Sequence, residues 1–110
     1  MKGTNLGEFE ELVLLTVGVL NKEAYSIAIC KEINRITKRN VNFAVVHSAL
    51  NRLEEKGYVE SELGGATQER GGRSKRIFTI SQAGKKALLR TKEQRDELWS
   101  MIPKVVFKNI

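Results

Sequence analysis

One stretch of the chain, residues 42–80, constrains the fold more than any other. It opens with a segment whose apolar residues recur at three- and four-residue steps, the spacing of one buried helix face: Val46, Ala49, Leu50 and Leu53. Asn42 suits the N-cap of this helix, and Gly57 suits the left-handed residue that closes it. Two strand-like runs, residues 58–64 and 75–81, then flank a basic, glycine-rich loop. The order of helix, strand, basic loop and strand predicts a winged helix-turn-helix.

A first helix is predicted to begin at residue 6 or 7 and to end near Leu20. Its apolar face is formed by Phe9, Leu12, Val13, Thr16, Val17 and Leu20. Leu14 and Leu15 widen that face beyond the needs of a small core. We therefore expect part of the first helix to meet another subunit.

A second helix is predicted from an N-cap at Ser26 to about Lys38. Its inward residues are expected to be Ile29, Cys30, Ile33 and Ile36. Cys30 in this stripe is most simply a small core residue. A short turn at residues 39–41 then leads to the helix that Asn42 caps.

A fourth helix is predicted from Ser81, its N-cap, and Pro103 should end or kink it at Ile102. Its middle is strongly polar, so the helix should project from the domain and pair with a helix of a second copy. The expected dimer contacts come from the first and fourth helices and the tail: Leu12, Leu15, Ala87, Thr91, Leu98, Met101, Ile102 and Val105. The chain thus divides into a DNA-binding domain at residues 1–81 and a dimerisation helix with its tail at 82–110.

The composition argues against several functional classes. A chain of 110 residues with one histidine and one cysteine has few groups for catalysis, a metal site or a disulfide, so we expect no enzyme, metal or cofactor. No apolar run approaches the roughly 20 residues of a membrane span, and no signal peptide is evident. We therefore expect a cytoplasmic protein with no membrane partner.

The charge pattern points to double-stranded DNA. The net charge is +6, and basic residues dominate the loop and second strand of the predicted wing, where they suit phosphate contacts: Arg70, Arg73, Lys75 and Arg76. Side chains on the outer face of the third helix are mostly small or short and polar, which permits close approach to a groove. The expected DNA contacts there are Asn42, Ala44, His47, Ser48, Asn51 and Arg52.

Each of these residues alone is equally consistent with an ordinary exposed position. As a set beside a basic wing they favour DNA. The alternative is a winged-helix module that binds another protein and has no sequence-specific contact with DNA, a use that the same fold also serves.

The sequence resembles the PadR family of bacterial transcriptional regulators, in its short branch with a single C-terminal helix. The resemblance extends over residues 6–90 and is carried by five blocks: residues 6–15, 24–26, 44–59, 69–76 and 80–84. It implies a homodimeric repressor that binds a palindromic operator and is released by a small aromatic or amphipathic effector.

The resemblance also implies roles for individual residues. Tyr25 matches a tyrosine that contacts phosphate, and His47 stands where the family usually has a tyrosine that contacts the DNA backbone. Ser26 replaces a glycine, which the start of a helix can tolerate. Trp99 is a candidate platform for a flat ligand, with Leu12 and Leu15 as pocket walls; packing of Trp99 at the dimer interface is the alternative.

Overall fold

The computed structural model describes residues 5–64 and 75–110. The predicted wing tip, which carries Arg70 and Arg73, lies outside the described residues. The elements follow in the order α1 (Glu8–Leu20), α2 (Ser26–Thr37), α3 (Phe43–Glu55), β1 (Val59–Leu63), β2 (Arg76–Ile80) and α4 (Gln82–Met101). Short 3-10 helices at Asn21–Glu23 and Lys104–Phe107 follow α1 and α4. The predicted fold class, mainly helical with a two-stranded wing, is confirmed.

The core lies around α1, which contacts α2, α3, β2 and α4. Its fully buried large side chains are Val13, Leu14, Val17, Ile29, Ile33, Val46, Leu50, Leu53 and Phe78. Leu14 is therefore a core residue, and the expectation that it widens the apolar face beyond the needs of the core was wrong; Leu15, its neighbour, is exposed. Because α1 is covered from several sides, its buried surface is wider than the stripe of a helix packed on one layer.

The second helix differs from the prediction at both ends. Its N-cap is Tyr25, in extended conformation and without a side-chain capping bond, whereas Ser26 is already helical. Ile36 near its C-terminus is 60% exposed, and Cys30 is only partly buried. The inward stripe thus covers Ile29 and Ile33 and ends before the last turn.

The predicted N-caps of α3 and α4, and the residue that closes α3, are confirmed. The Asn42 side chain accepts a hydrogen bond from the Val45 amide at 3.0 Å, and the Ser81 hydroxyl accepts one from the Gly84 amide at the same distance. Gly57 has φ of 79°, the left-handed conformation expected after α3.

The strands form an antiparallel pair that runs from Val59 opposite Ile80 to Leu63 opposite Arg76. On the face toward the core, Val59 and Phe78 are buried. A third segment extends this pair, because Tyr25 forms an isolated bridge with Ile77 and the Phe78 amide donates to the Ala24 carbonyl at 2.8 Å. The start of α2 is thereby fixed to the base of the wing, which accounts for the extended backbone of Tyr25.

The fourth helix ends at Met101, because Ile102 adopts extended backbone angles before Pro103. The tail then turns back through the second 3-10 helix, and the Phe107 ring stacks on Trp99 with centroids 5.8 Å apart. Ile102 and Val105 consequently lie beyond the helix, at its C-cap and in the tail. None of the helices formed by the described residues has both the length and the apolar character that a bilayer span requires.

Candidate nucleic-acid interface

The third helix presents a stripe of small and short polar side chains to solvent. Ala44, Ser48 and Asn51 recur along the side opposite the buried Val46 and Leu50, and all three are exposed. His47 is also exposed beside them. The structure thus brings four of the predicted DNA contacts onto one accessible surface.

The start of α3 is rigidly placed. The Asn34 side chain donates to the Val41 carbonyl at 3.0 Å and accepts from the Val41 amide at 2.9 Å, which fixes the turn between α2 and α3. The Cys30 thiol donates weakly to the same carbonyl at 3.5 Å. The Asn42 cap then begins the helix, leaving other first-turn amides that suit an anion.

Two aromatic side chains contact each other on the surface at the start of α3. The rings of Phe43 and His47 stack with centroids 5.9 Å apart and an interplanar angle of 17°. Phe43 is the first residue of α3 and is 45% exposed. Phe43 was not among the predicted contacts, although an aromatic residue directly after an N-cap is a visible signal in the sequence.

Arg52 is exposed on α3, as the sequence predicted, but it also has a partner within the protein. Its Nε donates a 3.1 Å hydrogen bond to Oε2 of Glu10, and half of the side chain remains exposed. The Oε1 atom of Glu10 accepts from Lys56 Nζ at 2.7 Å and from the Gly7 amide at 3.1 Å. Arg52 therefore has a structural partner behind the exposed stripe.

Glu10 is the buried anion of this cluster, with 7% of its surface exposed. Burial favours its protonated form, but the hydrogen bonds from Lys56, from the Gly7 amide and from Arg52 outweigh burial and lower the pKa of Glu10 below the ordinary 4.5. Sequence reasoning missed this residue, because no local pattern links α1 to a lysine at the end of α3.

Two of the predicted DNA contacts, Lys75 and Tyr25, lie next to each other at the base of the wing. Lys75 Nζ lies 3.7 Å from the centroid of the Tyr25 ring, which is the geometry of a cation–π contact. Arg76 has other partners: its Nη1 donates to the Ser61 hydroxyl at 2.8 Å, and that hydroxyl donates to Glu54 at 2.7 Å. The two described basic residues of the wing thus have different surroundings.

The predicted dimer contacts divide into three groups by exposure. Exposed residues are Leu15 of α1, Leu98 and Met101 near the end of α4, and Val105 in the tail. Ala87, in contrast, is 2% exposed and packs in the protomer's own core. Ala87 was therefore wrongly expected to offer surface to a second chain; its position near the root of α4 explains the difference. Leu12, Thr91 and Ile102 are partly buried.

The candidate effector residues do not share one site. Leu15 and Trp99 both line a cleft of about 480 Å³ between α1 and α4. Leu12 lies instead, again with Leu15, on a cleft of about 230 Å³ between α1 and α2. Among the residues that the structure describes, no group of histidine, cysteine and carboxylate side chains could hold a metal ion.

The fold and the exposed α3 stripe define a winged-helix protein of the kind found among transcription regulators. The chain belongs to the Transcriptional regulator PadR-like family, whose model matches residues 14–90. No curated protein sequence matches this one significantly.

Solved structures show the same fold. A PadR-like transcription factor from Bacteroides fragilis superposes with a TM-score of 0.69 at 22% identity, over 84% of each chain. A PadR family regulator from Eggerthella lenta gives 0.67 at 22% identity, over 93% of this chain and 88% of that one. A Streptococcus transcriptional regulator gives 0.68 at 17% identity, over 84% and 85%. At these identities the likeness establishes the architecture and leaves individual contacts to be argued from the chain itself.

Proposed function

We propose that this protein is a repressor that binds a palindromic DNA operator as a homodimer. The observation that carries the proposal is the exposed stripe of Ala44, Ser48 and Asn51 on α3, which starts from a side-chain N-cap. In helix-turn-helix proteins the N-terminal residues of the second helix contact base edges in the major groove. Asn51 suits adenine, and Ser48 can donate or accept at any base.

The wing supplies the contacts with the DNA backbone. Lys75 lies against the Tyr25 ring at the base of the wing, so an ammonium and a phenol could meet the same phosphate. Arg70, Arg73 and Arg76 add charge, which contributes affinity and little sequence preference. Arg52 contributes less than a free arginine would, because its Nε already bonds Glu10.

The distal part of α4 and the tail supply the dimer contacts. The radius of gyration is 16.6 Å, compared with about 13 Å for a compact domain of this length. The distal part of α4, Lys92 to Met101, is exposed throughout and is here called the arm. Leu98, Trp99 and Met101 are exposed on that arm. A second copy would cover this apolar surface and would set the two α3 helices about 34 Å apart, the spacing of successive major grooves.

A small aromatic or amphipathic effector would release the repressor from DNA. The cleft that Leu15 and Trp99 line is the best candidate site. It lies where the proposed dimer surface meets α1, so a bound ligand could change the distance between the two α3 helices. Packing of Trp99 against the second copy is the alternative role.

The proposed function is tested by measuring binding to a duplex at increasing salt with fluorescence anisotropy. A dimer that contacts six to ten phosphates should lose roughly a thousandfold or more in affinity between 50 and 200 mM salt. An affinity that does not respond to salt, or no retention on DNA at low ionic strength, would instead support a winged-helix module that binds protein.

A further inference from the structure

We propose that Phe43 reads thymine in the major groove through the C5-methyl group of the base. The inference rests on the proposed function, since it requires α3 to enter the groove. It extends that function by assigning a base preference to an apolar side chain at the start of α3.

The position of Phe43 places its ring where base edges are contacted. It is the first residue of α3, directly after the Asn42 cap, and 45% of it is exposed. Residues at the N-terminal end of a recognition helix are those that reach base edges. An exposed phenyl ring gains nothing from water at such a position, whereas an apolar partner in the groove would bury it.

Neighbouring side chains hold the ring in place. One contact is the stack on His47, with centroids 5.9 Å apart. Ile27, Cys30 and Lys31 of α2 lie with Phe43 around an open cleft of about 320 Å³. The stack on His47 limits the orientations of the ring, which lowers the conformational entropy lost when it meets a second apolar group.

Thymine is the chemical match for this ring. Its C5-methyl is the apolar group that a base of unmodified DNA presents in the major groove, and phenylalanine is among the side chains that recognise it. Phe43 has no donor or acceptor on its side chain, so it cannot distinguish guanine, cytosine or adenine by hydrogen bonding. Its preference is therefore for a thymine at one position of each half-site.

The test replaces single thymines by deoxyuridine, which differs only in lacking the methyl group. A preferred duplex is first selected from a random pool with the wild-type protein. Each thymine of that duplex is then replaced in turn, and affinities of the wild type and of Phe43→Ala are measured by anisotropy. We expect one position where the wild type loses about fourfold, the equivalent of the roughly 0.8 kcal/mol of one buried methyl group.

At that position Phe43→Ala should bind the thymine and deoxyuridine duplexes equally, while Phe43→Leu should retain part of the preference. Ile36→Ala removes another exposed apolar side chain, on the α1–α2 cleft, and should discriminate like the wild type. Far-ultraviolet circular dichroism should show that Phe43→Ala is folded, since the ring is not part of the hydrophobic core.

Two outcomes would overturn the assignment while leaving DNA binding intact. One is a selected duplex in which no thymine replacement weakens the wild type. The other is a preference that Phe43→Ala keeps in full, which would assign the methyl contact to a different residue. A wild-type protein that selects no duplex and binds no random DNA at low salt would refute the proposed function itself, and the thymine contact with it.

Discussion

Glu10 and Lys56 lie 46 residues apart in the sequence, yet Lys56 Nζ donates a 2.7 Å hydrogen bond to Glu10 Oε1. The bond joins the first turn of α1 to the C-cap of α3. Arg52 adds a second bond between the same two helices at 3.1 Å. The helix proposed to enter DNA is thus held by charge pairs at one flank, in addition to its buried apolar face.

Replacing Glu10 by glutamine should destabilise the protein. The substitution keeps the shape but removes the negative charge that Lys56 and Arg52 face, and charge-assisted hydrogen bonds contribute about 1.5–3 kcal/mol each. Because water still reaches part of Arg52, we expect a net loss on the order of 2 kcal/mol in the free energy of unfolding. Urea denaturation followed by circular dichroism measures it.

Glu8→Gln is the matched control. Glu8 is in the same helix turn and pairs with Arg39, but its side chain is 61% exposed. Exposed pairs contribute little to stability, so this variant should unfold almost like the wild type. Equal losses for the two variants would contradict a special role for the buried cluster.

The same cluster predicts a pH dependence. The pKa of Glu10 is lower in the folded protein than its ordinary value of 4.5, so its contribution to stability is fully present above pH 4.5. It is lost as the pH falls from 4.5 through the folded pKa, because the carboxylate must then be protonated. Wild type should therefore lose more stability than Glu10→Gln between pH 5 and about pH 3, as measured by urea titrations at each pH. If the wild type and Glu10→Gln lost the same stability over this pH range, Glu10 would not be the group responsible.

Replacing Gly84 by alanine should be strongly destabilising. A Cβ at this position would lie 2.2 Å from the Tyr58 carbonyl oxygen and 2.9 Å from Ile80 Cγ2. The carbonyl cannot easily move, since it accepts a 3.0 Å hydrogen bond from the Ser81 amide. Displacement of α4 should cost about 2 kcal/mol or more. This cost exceeds the roughly 1 kcal/mol by which alanine stabilises a helix relative to glycine. Thermal unfolding checks it.

Gly18→Ala provides the comparison. Gly18 lies inside α1, and its added Cβ would meet only the terminal Cδ1 of Ile80 at 3.1 Å. That methyl group can move by a rotamer adjustment, so the variant should unfold within about 1 kcal/mol of the wild type. A loss as large as that of Gly84→Ala would show that crowding against the Tyr58 carbonyl is not the cause.

Local signals in the sequence were sufficient for the framework of the fold. Asn42, Gly57 and Ser81 mark helix ends by chemistry that acts within a few residues, and the structure has all three in those roles. Pro103 likewise marks the end of α4 through a clash with the residue before it. These features could be predicted because their causes lie in neighbouring residues.

Features set by tertiary contacts could not be predicted in this way. Leu14 is buried because α1 is packed from several sides, and periodicity alone does not show how many sides a helix buries. Tyr25 replaces Ser26 as the cap because β2, some fifty residues later, pairs with it. Arg52 likewise pairs with a residue of another helix, Glu10 of α1. The outer stripe of α3 was predictable, whereas the partners at its flanks were not.

The paired substitution of Arg73 and Arg76 by alanine tests the wing. Loss of two phosphate contacts from each protomer should weaken binding to all duplexes alike and flatten the salt dependence, by about 0.9 in the logarithmic slope for each lost contact. Anisotropy titrations with specific and random duplexes at several salt concentrations measure both effects. Lys85→Ala with Lys86→Ala removes the same charge from the exposed start of α4 and should change the slope less. Equal effects of the two pairs would show that only net charge matters.

Ending the chain after Arg90 should give a monomer. The remaining part keeps Ala87 in the core and the cap at Ser81, but it lacks the exposed Leu98 and Met101 that we expect to meet the second copy. Sedimentation velocity measures the change in mass. A chain ending at Phe107 retains the stack on Trp99 and should remain dimeric.

A full-length variant makes the same test without truncation. Leu98→Glu with Met101→Glu places like charges on the arm, where a symmetric interface would bring them together and desolvate them. We expect this variant to sediment as a monomer while its far-ultraviolet circular dichroism stays close to that of the wild type, because both positions are exposed in the protomer. If both the shortened chain and this variant sediment as the wild-type dimer, a surface other than the α4 arm must join the two copies.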